Sequence, residues 1–252
     1  MSALRASFAR RSRAALDCSM KDPSTFLSAE EMTKHRTPRE LNDWVAKIFD
    51  HFLESNEAKA YARLKKGLSK QFFEEVWPLA LLAKQLFGDS DQVICEPVLG
   101  NQKYDALIED RRGDASIQIK VEFTIAVDGH DDHLRMKELN EKGRANAYGD
   151  VSVSGTKHTG HNINIYDRAL SRDELTSNAV RVVTEALRGK ANRPYGLNHW
   201  LCVKFDDWIW VPNKDDTEAI RASVSSAKRA LNLDFAKVFI VGSSGELLWE
   251  LT

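Results

Sequence analysis

Cysteine is scarce: three occur in 252 residues, Cys18, Cys95 and Cys202, far apart and with no CxxC pair. That argues against a disulfide framework or a thiolate zinc site and fits a reducing, cytoplasmic setting. No run of about 18 apolar residues is present, so neither a transmembrane helix nor a membrane partner is expected. Charge of one sign is also missing. Lys and Arg number 36 and Asp and Glu 37, a formal net charge of −1. A histone-like polycation is excluded, whereas a local basic groove would still serve nucleic acid. The chain has no internal repeat or low-complexity tract, and no P-loop, GxGxxG or Ser/His/Asp signature. What it has is 42% hydrophobic and 29% charged residues. That is enough to bury the core of one large domain, or of one domain with an added subdomain.

Residues 1–37 read as a basic arm and linker. The first 16 carry Arg5, Arg10, Arg11 and Arg13 and no acid, a composition shared with transit peptides. Residues 38–252 read as one α/β domain, with a helical extension over 38–66. Thr37 and Pro38 mark a helix start. Leu41, Val45, Ile48 and Phe52 then recur at helical spacing. A short charged helix is expected over 57–66 and a longer one over 68–87, kinked or restarted at Pro78.

Period two follows. Strands are expected over 93–99, 104–110 and 116–124. In the last, Ile117, Ile119, Val121 and Phe123 alternate with Gln118, Lys120, Glu122 and Thr124. A helix is expected around 132–142 and another over 175–187. Strands are expected at 199–205 and 208–211, then a helix over 220–231 and a strand pair at 235–241 and 247–251. Helices, a β-meander, then alternating helix and strand predict a mixed sheet with helices on both faces.

The meander can be registered by arithmetic. A tight turn at Gly113-Asp114 makes paired positions sum to 227, which sets Asp105 opposite Glu122, Leu107 opposite Lys120 and Glu109 opposite Gln118. Two opposed carboxylates repel, and a divalent cation would compensate them. Glu75 adds a third carboxylate, the one polar residue in the stripe Leu68, Phe72, Glu75, Leu79, Leu82, Leu86. A solvated strand face with surface ion pairs would account for each acid taken alone.

Glu75, then Tyr104-Asp105, then Gln118-Ile119-Lys120-Val121-Glu122-Phe123-Thr124 resembles the PD-(D/E)XK nuclease superfamily over about residues 67–145. Residues 146–252 supply the remaining helices and strands. The resemblance implies a restriction-endonuclease-like αβββαβ core and Mg²⁺-dependent phosphodiester hydrolysis, with Mn²⁺ able to substitute. It implies Asp105, Glu122 and Glu75 as metal ligands, with Lys120 and Gln118 positioning the nucleophile. The family's acid-x-Lys motif is split here between Gln118-x-Lys120 and Glu122-x-Thr124. The expected substrate is DNA first and RNA second, and a homodimer is compatible. The alternative is a catalytically inactive module of the same fold that binds nucleic acid or a protein.

Arg135, Lys137, Lys142 and Arg144 are the candidate phosphate contacts, against the alternative of an ordinary charged helix. His130/His133 and His158/His161 each show HxxH spacing, and one pair from each would suit zinc, on a weak motif. Trp200, Trp208, Trp210 and Trp249 read as strand residues in the core.

Overall fold

A computed structural model describes residues 26–146, 150–156, 160–166, 168–208 and 214–252. Its first described elements are α1 (Ala29–Met32), α2 (Pro38–Glu54) and α3 (Asn56–Arg63). The start of α2 is fixed chemically. The Glu40 amide donates to the Thr37 hydroxyl, the Glu40 carboxylate accepts from the Thr37 amide, and Pro38 occupies the first turn. Leu41, Val45, Ile48 and Phe52 form the buried face of α2. Residues 26–37 are not a free linker. Leu27 and Met32 are core residues, and Arg36 bridges to Cys95 while its guanidinium lies 4.2 Å from the Trp44 ring centroid. The rest of the expected arm lies outside the described residues.

The helix expected over 68–87 comes in three pieces: α4 (Ser69–Gln71), a π-helical turn (Phe72–Val76) and α5 (Trp77–Phe87). Pro78 offers no amide to continue the regular bonding, and the Trp77 amide reaches back five residues to the Phe72 carbonyl. Aromatic packing holds this turn. Phe72, Phe73 and Trp77 all meet Phe49 with ring centroids 5.1–5.7 Å apart.

Strands β1 (Val93–Pro97), β2 (Ala106–Asp110) and β3 (Ile117–Ala126) form an antiparallel meander. Helices α6 (Gly129–Lys142) and α7 (Arg172–Arg188) follow, with a separate two-stranded sheet of β4 (Val151–Thr156) and β5 (Gly160–Ile165) between them in sequence. β6 (Gly196–Phe205), α8 (Lys214–Arg229), β7 (Phe235–Gly242) and β8 (Leu248–Glu250) complete the chain.

The six-stranded sheet runs β1-β2-β3-β6-β7-β8, with β6 parallel to both β3 and β7. One face packs on α2 and α5 through Ile119, Val121, Phe123 and Cys202. The other packs on α7 and α8 through Leu201, Val203, Val183 and Ile220. The protein is therefore mixed α/β with helices on both faces of a mixed sheet. Among the described residues no helix is long and apolar enough to cross a membrane. Trp208 is not on a strand: it lies in a turn and is 64% exposed. Trp210 lies outside the described residues.

Candidate functional site

The β2–β3 register is that of the arithmetic. Leu107 faces Lys120, Glu109 faces Gln118 and Asp110 faces Ile117. The ladder stops at Asp110 and Ile117, so residues 111–116 form a longer loop than a two-residue turn. Asp105 lies one residue before β2 and stays tied to β3. Its amide donates to the Val121 carbonyl at 2.8 Å, and its carboxylate accepts from the Phe123 amide at 2.7 Å. Just before β2 begins, the Asp105 side chain takes over the Phe123 amide, which fixes the carboxylate beside Glu122.

Asp105, Glu122 and Glu75 line one cleft of about 620 Å³. Each comes from a different element: the entry to β2, the middle of β3 and the π turn. The carboxylates sense one another. Burial, then the neighbouring charges of Asp105, Glu74 and Glu122, pushes the Glu75 carboxyl up to about 7. Burial raises Asp105 to about 6, opposed by the Phe123 amide and by Lys190 and reinforced by Glu122. Glu74, off the stripe, pairs with Lys65 at 3.2 Å.

Lys190 is the residue that sequence reasoning missed. Its ammonium pairs with Glu122 at 2.5 Å, with both side chains under one-fifth exposed. It follows α7, 68 residues from Glu122, and no local pattern announces it. The fold supplies the reason: β3 and β6 are parallel, so the α7–β6 connection must return to their amino ends, beside Glu122. Tyr195, from the same connection, donates to Glu122 at 3.4 Å. Lys65, Lys70, Thr124 and His133 also line the cleft.

Two candidates fall elsewhere. Gln118 is exposed and faces Glu109, two pleats from Glu122. Lys120 shares the face of Glu122 but does not line the cleft, and its ammonium rests 5.1 Å from the Tyr104 ring centroid. The strand's alternation correctly put both on the polar face; distance along the strand separates them from the acids.

The four phosphate candidates lie on and just beyond α6. Arg135 pairs with Asp131, Lys137 with Glu141 and Lys142 with Glu138, each within the helix, while Arg144 is exposed past the Gly143 cap. Arg135 lines a neighbouring cleft of about 660 Å³ at the carboxyl ends of β3 and β6, rich in acids such as Asp128, Asp131 and Asp206. His130 and His133 are exposed on α6. His158 and the His161 side chain lie outside the described residues.

The carboxylate oxygens are hard donors of the kind Mg²⁺ prefers, and burial, reinforced by neighbouring acids, raises the proton affinities of Glu75 and Asp105. In donor chemistry the residues fit a divalent ion. In arrangement they are not closed on one. Among the described residues no three His, Cys, Asp or Glu side chains are placed to hold a metal, and Glu122 is turned to Lys190. Comparison with family models, curated proteins and solved structures finds no match to this chain.

Proposed function

We propose that the protein is a divalent-cation-dependent phosphodiesterase acting on nucleic acid, DNA before RNA, built on a restriction-endonuclease-like core. The observation that carries the reading is the meeting of Asp105, Glu122 and Glu75 in one cleft from three separate elements. The element order supports it as well. With α6 and the β4–β5 pair inserted after β3, the elements α5, three antiparallel strands, α7 and a strand parallel to the third follow the αβββαβ order that the resemblance implies.

Asp105 and Glu122, with Glu75 behind them, are the residues that would hold Mg²⁺ or Mn²⁺. The ion, when bound, supplies a Lewis acid for the phosphoryl oxygen and lowers the proton affinity of water. The chain's own groups have distinct tasks. The Phe123 amide fixes the direction of the Asp105 carboxylate. Glu75, with a proton affinity near neutrality, is suited to take a proton from an attacking water. Lys190 provides the positive charge that Thr124 does not, beside the place where a phosphate would carry developing negative charge.

The Lys190–Glu122 pair also favours a second reading, a nucleic-acid-binding module whose acid is already neutralised. Plasmid DNA and a structured RNA incubated with purified protein separate the two. Cleavage with Mg²⁺ or Mn²⁺, absent in chelator and in Asp105→Ala, is the expected result. Binding without cleavage under both ions overturns the enzyme reading.

A further inference from the structure

The face that carries Glu122 continues past the cleft toward the amino ends of β3 and β6. There Lys120 and His199 are direct partners across the parallel pair. Tyr104 and Tyr195 flank the His199 ring, with centroids at 6.3 and 5.9 Å. Tyr195 links this group to Glu122 through its hydroxyl. Lys120 and Glu122 are two residues apart on one strand, about 6.6 Å along it.

Two features of this patch leave it open to a ligand. His199 is 6% exposed, yet its Nδ1 has no hydrogen-bond partner. An unpaired buried polar atom is costly, so this nitrogen is open to a partner from outside the chain. Lys120 rests on the Tyr104 ring and, among the described residues, has no carboxylate at ion-pair distance. Exposed Lys103 adds its charge to the same field around His199, and Glu122 and Asp234 are the acids facing it. Lys190 already neutralises the nearer of those acids.

We propose that Lys120, Lys103 and the Nδ1 of His199 form a phosphate subsite, which holds a phosphodiester of the nucleic-acid strand adjacent to the one presented to the carboxylates. The inference rests on the phosphodiesterase reading of the cleft. It gives the strand a direction, along β3 from Lys120 toward Glu122. It also gives Lys120 a positioning role: the ammonium and the imidazole N–H donate to phosphate oxygens, and the Tyr104 ring walls the site on one side.

The test is fluorescence anisotropy of a short fluorescein-labelled single-stranded DNA in chelator, titrated at several salt concentrations. Lys120→Ala should weaken binding about tenfold at low salt and reduce the slope of log affinity against log salt by about one. Lys103→Ala should act in the same direction. Lys120→Arg should restore the slope, and Arg229→Ala on α8 should change nothing. Because Lys103 is exposed, its variant keeps the test decisive should Lys120→Ala fail to fold. Unchanged slopes in both alanine variants overturn the subsite, as does a wild type that binds no DNA. Binding needs no metal here. Altered slopes in a protein that cleaves nothing therefore refute the cleft reading alone, and cleavage with unaltered slopes refutes the subsite alone.

Discussion

Glu75→Gln removes the cost of burying an ionised carboxylate beside other acids. In the folded protein the Glu75 carboxyl titrates at about 7 against 4.5 for the free side chain. The folded state therefore holds this proton more tightly than the unfolded chain does. The group's contribution to stability is intact below about pH 4.5, is lost as pH rises toward 7, and stays lost above it. At about 1.4 kcal/mol per pKa unit the full shift would be worth about 3 kcal/mol. Glu75 lies in an open, half-wet cleft, so solvent screening reduces this to about 1–2 kcal/mol. Glutamine keeps the shape and cannot ionise. Without metal the variant should melt about 3–6 °C above wild type at pH 8, given about 2–4 °C per kcal/mol for a domain of this size. At pH 4.5 the two should coincide. Circular-dichroism melts in chelator at the two pH values decide the matter. An equal shift at both, or a variant less stable at pH 8, would refute the claim that burial and its acidic neighbours hold the Glu75 carboxyl well above its ordinary value.

Lys190→Ala leaves the mostly buried Glu122 without its cation. It should cost about 2 kcal/mol at pH 8, less than removal of a partner from a fully buried pair; a melt identical to wild type would mean that the pair does not form. Magnesium should raise the melting temperature of wild type by linkage and not that of Asp105→Ala; equal rises in both would put the ion elsewhere, near the acids of α6 for example. Lys204 is buried against Trp77 with its ammonium 3.9 Å from the ring centroid, and burial pushes its pKa down to about 8. Its depressed proton affinity costs stability as pH falls from about 10.5 through 8. Lys204→Met should therefore stabilise by about 2–3 kcal/mol at pH 7, and a gain that did not shrink toward pH 10 would point to packing instead. Gly242 lies under the buried Asp207 carboxylate, which accepts from the amide and hydroxyl of Ser244, and a Cβ there would overlap it. Gly242→Ala should lower stability by about 3 kcal/mol; a wild-type melt would show that Asp207 is held differently.

What the sequence discloses follows from locality. The helix start at Thr37 is a capping box, encoded within four residues; Ser171 makes another, which starts α7 at Arg172, ahead of the start expected at 175. β3 is legible because nine residues keep one alternation, and pair arithmetic carries that alternation to Asp105 and Glu122. Glu75 is legible as a charge interrupting an apolar stripe. The π turn around it is not, because Pro78 announces a disturbance without saying which bonds replace the lost one. The β4–β5 hairpin is hidden by composition: Ser, Asn, Gly and Thr fill it, and of its hydrophobic residues only Ile163 is buried. Lys190 and His199 reach the site only through the β3–α7–β6 crossover, which local periodicity does not encode. Alternation gives Lys120 and Gln118 their face but not their distance from the acids. Both share a face with Glu122, yet neither lines the cleft.

The proposed function requires a divalent cation to enter the cleft between Asp105 and Glu122. Anomalous diffraction from crystals soaked in Mn²⁺ tests this most directly. The expected result is one strong peak in contact with both carboxylates, with the Lys190 ammonium withdrawn from Glu122. A cleft without a peak at saturating Mn²⁺, or a peak only among the acids at the carboxyl ends of β3 and β6, would contradict it.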